Sequence, residues 1–293
     1  MKTPADIITR LQMMAQDGTK SDRRLAGMVL SDPDFVSKAA ISEIAARAGI
    51  SEPTVTRFCR NLGCEGLRDF KFYLAQAIAI GGQYLSAEPP GSDVRDQRIA
   101  AAITEAAIAA IQRASGMLPM PKLIEIAERI AVSGNILCIG SGGISSMMAT
   151  EMQNRLFRLG LSALAQVDGQ LQRMYASVAT PETTVLAFSV SGYARSVVEA
   201  VQVARQYGAT TVAVTAPDSV LARAAETLIP FQSLEDGNIY KPTSSRFALL
   251  AIVDIIATAT AEARGPKALE NLRRIKQSVY TLKVADPRLP LGD

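Results

Sequence analysis

Ile41 to Gly63, ISEIAARAGISEPTVTRFCRNLG, most constrains what this chain can fold into. Ile44, Ala45 and Ala48 recur at helical spacing, so a first short helix has an apolar face. Gly49 ends it, because glycine accepts the left-handed backbone of a tight turn. A second helix follows, with Ser51 as its expected N-cap and Pro53 in the first turn, where a missing N–H costs nothing. Val55, Phe58, Cys59 and Leu62 share its inner face. Pro53, Thr56, Arg57 and Arg60 share the outer one, flanked by Thr54 and Asn61. This is the layout of a helix-turn-helix. Its polar, cationic outer face suits base edges and phosphates in a major groove. A three-helix core with a merely solvated basic face is the alternative.

The neighbouring residues favour the first reading. Lys20–Leu30 is a further amphipathic helix, with Ser21 as the expected cap and Leu25, Met28, Val29 and Leu30 beneath the pair. A helix over Gly66–Ile80 carries Arg68 and Lys71, within reach of flanking phosphates. The formal net charge is only +3, which suits local, sequence-selective contact with a double-stranded operator rather than bulk polyanion binding.

The 293 residues suggest two domains. With 48% apolar and 20% charged residues, the composition fits a globular chain with a sizeable core. Residues 1–80 read as the helical DNA-binding domain, 81–97 as a Gly- and Pro-rich linker, and 98–293 as a second domain. No window is apolar enough to span a bilayer, and no secretory leader is visible, so a cytoplasmic protein without a membrane partner is expected. Three cysteines, Cys59, Cys64 and Cys138, fit reduced, buried thiols. Cys59 and Cys64 lack further ligands for a metal, so neither metal nor cofactor is expected. Histidine is absent altogether. That removes the commonest general base, and with it any Ser-His-Asp or Cys-His mechanism.

From residue 98 onward, helices expected near 96–115 and 121–132 give way to short apolar strands alternating with helices. The strands are expected at 135–139, 162–167, 184–188, 211–214 and 227–230. Helices are expected at 144–159, 170–178, 194–207, 219–225, 244–263 and 266–282. This alternation predicts an α/β domain with a mainly parallel five-stranded sheet covered on both faces. Ligands of such sheets sit at the carboxyl ends of the strands. The first strand ends in Gly140-Ser141-Gly142-Gly143-Ile144-Ser145, and the third in Ser189-Val190-Ser191-Gly192-Tyr193-Ala194-Arg195. Both run into helices. Glycine-rich turns at helix N-termini bind anions, and two on one sheet point to a phosphorylated ligand. The first turn is no dinucleotide fingerprint, because it lacks the third glycine and a following acid. The apolar helices 96–132 and 244–263 carry more hydrophobic surface than one sheet face needs, which predicts a homodimer or tetramer.

The order helix-turn-helix, linker, then a sheet with these two turns resembles the RpiR/MurR family of bacterial transcriptional regulators. SEPTVTRFCRNLG is similar to that family's recognition-helix signature, and the C-terminal part resembles the sugar isomerase (SIS) domain. LQRMYASVA (171–179) and NIYKPTSSR (238–246) look most like the HexR-type branch. The resemblance implies a repressor of sugar catabolism, with Arg57 and Arg60 on DNA. It implies Ser189, Ser191 and the Gly140 turn on a phosphosugar, which for that branch is 2-keto-3-deoxy-6-phosphogluconate. Family turns carry a hydroxyl where this chain has Ile144, and another where it has Ala194. The rival reading is a phosphosugar isomerase or lyase on the same fold. Asp168 is then the best carboxylate for a base, and a solvated loop acid is its plainer role.

Overall fold

The structure, a computed structural model, describes residues 7–85, 95–233 and 243–280. The chain divides after Asp93 into two compact units. The first contains α1 (Ile7–Asp17), α2 (Lys20–Ser31), α3 (Pro33–Lys38), α4 (Ile41–Ala48), α5 (Glu52–Asn61) and α6 (Leu67–Leu85). α6 runs past residue 80 and the next helix begins at Arg95, so the expected linker is helical at both ends; 86–94 lie outside the described residues.

The apolar periodicity of each helix supplies one core: Ile7 and Leu11 of α1, Leu25 and Val29 of α2, Ile44 of α4, Phe58 of α5, Phe70 of α6. Phe58 and Phe70 meet edge to face at 6.1 Å. Burying each such side chain is worth roughly 1.5–3 kcal/mol over leaving it exposed. Caps set the helix starts. Thr19, not Ser21, caps α2: its hydroxyl accepts the Asp22 N–H and donates to the Asp22 carboxylate. Ser21 already lies inside the helix. Asp32 accepts the Phe35 N–H and starts α3, and an ion pair from Arg47 at 2.9 Å ties it to α4. The Arg47 guanidinium also lies over the Phe35 ring. At the other end of α5, Arg10 of α1 donates to the Leu62 carbonyl at 2.7 Å, on the negative end of that helix.

The second unit contains α7 (Arg95–Met117), α8 (Met120–Val132), β1 (Asn135–Gly140), α9 (Gly143–Arg158), β2 (Ala163–Gln166), α10 (Gly169–Ser177), β3 (Thr183–Ser189), α11 (Arg195–Gln206), β4 (Thr210–Thr215), α12 (Val220–Ala224), β5 (Thr227–Pro230), α13 (Ser245–Arg264) and α14 (Pro266–Tyr280). The five strands pair in the order β2-β1-β3-β4-β5, and all four pairings are parallel. The order reverses between β1 and β3, which opens a crevice at their carboxyl ends.

Alternation along the strands feeds two cores. Ile136, Cys138, Leu186, Phe188, Val212 and Val214 face one way, with α7, α8, α9 and α13. Leu137, Ile139, Val185, Ala187 and Ala213 face the other, with α10, α11 and α12. The surplus apolar surface expected on 244–263 is used inside the unit. α13 packs against α7, α8 and α9, burying Ala248, Leu249, Ile252, Val253 and Ile256. No described helix is long and apolar enough to cross a membrane.

Candidate functional site

The outer face of α5 is the first site. Ser51, Pro53, Arg57 and Arg60 are exposed, Thr54 and Thr56 half-buried, and Val55, Phe58 and Cys59 buried. Neither Arg57 nor Arg60 has an ion-pair partner among the described residues. Ser51 occupies the N-cap position but does not cap. Its hydroxyl bonds the Thr54 hydroxyl at 2.9 Å, leaving the first amides of α5 without a side-chain acceptor. Thr56 turns its hydroxyl back onto the Glu52 carbonyl. Lys71 departs from expectation. It is half-buried and donates to the Ala39 carbonyl, fastening α6 to the end of α3, whereas Arg68 stays exposed.

The second site is the crevice between β1 and β3. The register Gly140↔Phe188 brings the two glycine-bearing turns side by side. A hydrogen bond joins them: the Val190 N–H donates to the Ser145 hydroxyl at 3.3 Å. The eight residues singled out divide into two groups. Ser141, Gly142, Ser191 and Arg195 are open to solvent wholly or in part; Gly140, Ser145, Ser189 and Gly192 are buried. The buried members build the turns. A Cβ at Gly140 would collide with the Ser145 carbonyl. Ser189 accepts the Gly192 N–H at 3.0 Å, and Ser191 accepts the Tyr193 N–H at 3.3 Å. These two amides are therefore satisfied within the turn. Each serine accepts through a lone pair and keeps its O–H to donate. On the other turn, Gly142 starts α9 with no side-chain cap, so the first amides of this 16-residue helix, just past the end of β1, have no side-chain acceptor.

Arg195 is the most open group, its side chain 90% exposed. Its Nε donates to Glu199 at 2.7 Å, and Glu199 also accepts from Arg173 at 2.7 Å. The hydrogen bond from Arg195 holds the Glu199 carboxyl below the usual carboxylate range. One carboxylate between two guanidiniums leaves a net positive charge beside the second turn.

Sequence reasoning missed the residues that brace the crevice. Gln172, wholly buried on α10, donates to the carbonyls of Gly140 and Gln166 and so pins the ends of β1 and β2 together. Thr215 and Ser219, both buried, back the second turn, where the Leu221 N–H donates to the Gly192 carbonyl. The signal for these was weak: a glutamine at a helical position aligned with Ala176, and a Ser-rich turn after β4.

Asp168 is not placed as a base. It caps α10, accepting the Gln170 and Leu171 N–H groups at 2.9 Å each. Among the described residues no group of acids and cysteines is arranged to hold a metal. The three thiols are buried. Desolvation pushes Cys59 up to about 12 and raises Cys64 and Cys138 as well. The thiolate is the nucleophile. Native protein at pH 8 is therefore expected to resist iodoacetamide at all three positions over minutes and to label fully once unfolded. Fast native labelling at any of them contradicts that burial.

Comparison with known proteins identifies the domain that carries each candidate site. Residues 5–81 match the helix-turn-helix domain of the rpiR family, and residues 129–259 match the SIS domain. The chain is 32% identical to the HTH-type transcriptional regulator HexR of Pseudomonas aeruginosa, over 94% of this chain and 95% of that one. It is 30% identical to HexR of Escherichia coli, over 98% and 99%. In fold it is similar to the Vibrio vulnificus NanR protein solved with ManNAc-6P, at TM-score 0.60 and 24% identity, covering 96% of this chain and 100% of NanR. The helix-turn-helix match, the SIS match and relatives matched over nearly their whole length place this chain in the RpiR family of helix-turn-helix transcriptional regulators, with a SIS domain in its C-terminal part.

Proposed function

We propose that the protein represses genes of sugar catabolism, reading a palindromic operator as a homodimer or tetramer, and that a phosphorylated sugar acid in the β1–β3 crevice alters its operator affinity. The observation that carries this reading is the pair of turns at the switch point, joined by the Ser145–Val190 bond, with uncapped α9 amides on one side and Arg195 on the other. The chemistry is that of a phosphate held by helix amides and hydroxyl donors, with guanidinium charge nearby. Similarity to the HexR regulators makes 2-keto-3-deoxy-6-phosphogluconate the first effector to test. For DNA affinity to change, the ligand must bind the two states of the protein unequally.

In this reading Ser141, Gly142, Ser191 and Arg195 meet the ligand, while Gly140, Ser145, Ser189 and Gly192 hold its cradle. Ile144 and Ala194 supply no hydroxyl, so affinity falls in the micromolar to millimolar range. A hydrogen bond to a charged group is worth about 1.5–3 kcal/mol. Calorimetry is therefore expected to show Ser191→Ala weakening 2-keto-3-deoxy-6-phosphogluconate by about tenfold or more, with effector-free DNA binding unchanged. An unphosphorylated sugar acid binding as tightly as its phosphate ends this reading, because the crevice is argued to hold the anion.

A further inference from the structure

The outward side of α10 is apolar, and none of the described residues covers it. Leu171, Met174, Tyr175 and Val178 lie at i, i+3, i+4 and i+7, which is one stripe of a helix and its C-terminal turn. They are 42%, 57%, 41% and 73% exposed. The inner face of α10 is a different one, formed by Gln172 and Ala176. Arg173 projects on a third side, where it pairs with Glu199 of α11. The stripe lies across the helix from Arg173, and so points away from α11 and past the β2 edge of the sheet.

That edge extends the stripe. Ala163 and Ala165 of β2 pack towards the core under α9, so Leu164 between them projects to the α10 side. Leu164 is 40% exposed and Val167, just beyond the strand, 48%. The edge is closed to an added strand in its middle. The outward-facing Ala165 N–H already donates to the Gln153 side chain at 2.6 Å. An occupant must therefore dock through side chains.

We infer that Leu164, Val167, Leu171, Met174, Tyr175 and Val178 form a two-fold seam between two copies of this chain. Area argues for it. Six large apolar side chains, each about half exposed, present on the order of 500 Å², at or above the few hundred Å² that monomers leave contiguous. A stable interface buries about 800 Å² per partner, somewhat over half of it apolar, so the stripe supplies nearly all the apolar part. Charge argues for a second copy. The six stripe residues carry no charge, and the one guanidinium on α10, Arg173, lies across the helix from them and is paired with Glu199, so two stripes meet across a two-fold axis without opposing like charges in the seam. The seam rests on the self-association proposed above and assigns it a surface.

Light scattering of the full-length protein over nanomolar to micromolar concentration tests it. Wild type is expected to be a dimer or larger. Met174→Glu with Val178→Glu is expected to raise the dissociation constant at least a hundredfold, or to halve the mass of a tetramer. Ile108→Glu, on the exposed side of α7, leaves it unchanged. Circular dichroism and cooperative melting report whether the double variant folds. Independently, Met174→Cys is expected to give a cross-linked dimer on mild oxidation, the native thiols being buried. A monomeric wild type removes self-association altogether. An oligomer that survives the α10 substitutions, dissociates with Ile108→Glu, or yields no cross-link through residue 171, 174 or 178 removes this seam alone.

Discussion

Replacing both Arg57 and Arg60 with Ala is expected to abolish operator binding at concentrations where the wild-type protein saturates it. Each side chain is exposed on α5, without an internal ion-pair partner among the described residues. A base contact is worth about 1–3 kcal/mol, so each single variant loses roughly 5- to 150-fold. The double variant loses the product of the two if the contacts are independent. Stability is expected to stay within about 0.5 kcal/mol, as for other exposed substitutions. Anisotropy titration of a fragment from the protein's own promoter checks the first expectation and a thermal melt the second. The salt dependence separates two roles. A phosphate contact lowers the slope of log K against log salt by about one, whereas a base contact leaves the slope and relaxes the sequence preference. If both single variants bind like wild type, α5 is not the reading helix.

The second large effect belongs to one glycine of the crevice. Gly192 sits at φ 75°, and a Cβ there would run into the Ser219 and Thr215 side chains. Both are buried, and neither can swing away into solvent. Gly192→Ala therefore meets backbone strain of about 1–3 kcal/mol and a collision on top of it. The turn has to move, and with it the Ser189 and Ser191 hydroxyls that accept its amides. The effector response is expected to disappear while effector-free operator binding persists, because α5 belongs to a separately packed unit. Ser189→Ala, which removes one bond of the turn and adds no bulk, is expected to do less. If Gly192→Ala responds to 2-keto-3-deoxy-6-phosphogluconate as wild type does, the turn does not hold the ligand.

These two sites were legible in the sequence to different depths. Helix period and Gly49 located α4 and α5 closely, and the inward positions Val55, Phe58 and Cys59 are buried as the 3.6-residue spacing requires. All five strands lie where short apolar runs indicated; β1, β3 and β4 are buried on both faces, which needs such a run. Pairing order was not readable, since nothing local to β1 records whether β2 or β3 lies beside it. Which serines face the crevice was equally hidden. Ser189 and Ser191 look alike in the sequence, yet the first ends a strand inside the core and the second lies one turn beyond it. Lys71 read as a surface cation because a carbonyl thirty-two residues earlier leaves no mark on its neighbours. Ser21 was displaced as a cap by Thr19, because the helix begins at Lys20 and the threonine can bond Asp22 in both directions.

The bond from Arg10 to the Leu62 carbonyl bears on how small an autonomous DNA reader cut from this protein can be. The helix that would touch bases is held at its far end by a side chain from α1, fifty-two residues upstream, and α1 also lends Ile7 and Leu11 to the same core. A miniature consisting of α2 to α6 would retain every outward-facing residue of α5. It would still lose the anchor of that helix's last turn and two buried aliphatic side chains, and is expected to fray at Arg60 first. A portable operator-binding module must therefore begin before Ile7, even though nothing ahead of α4 belongs to the helix-turn-helix itself.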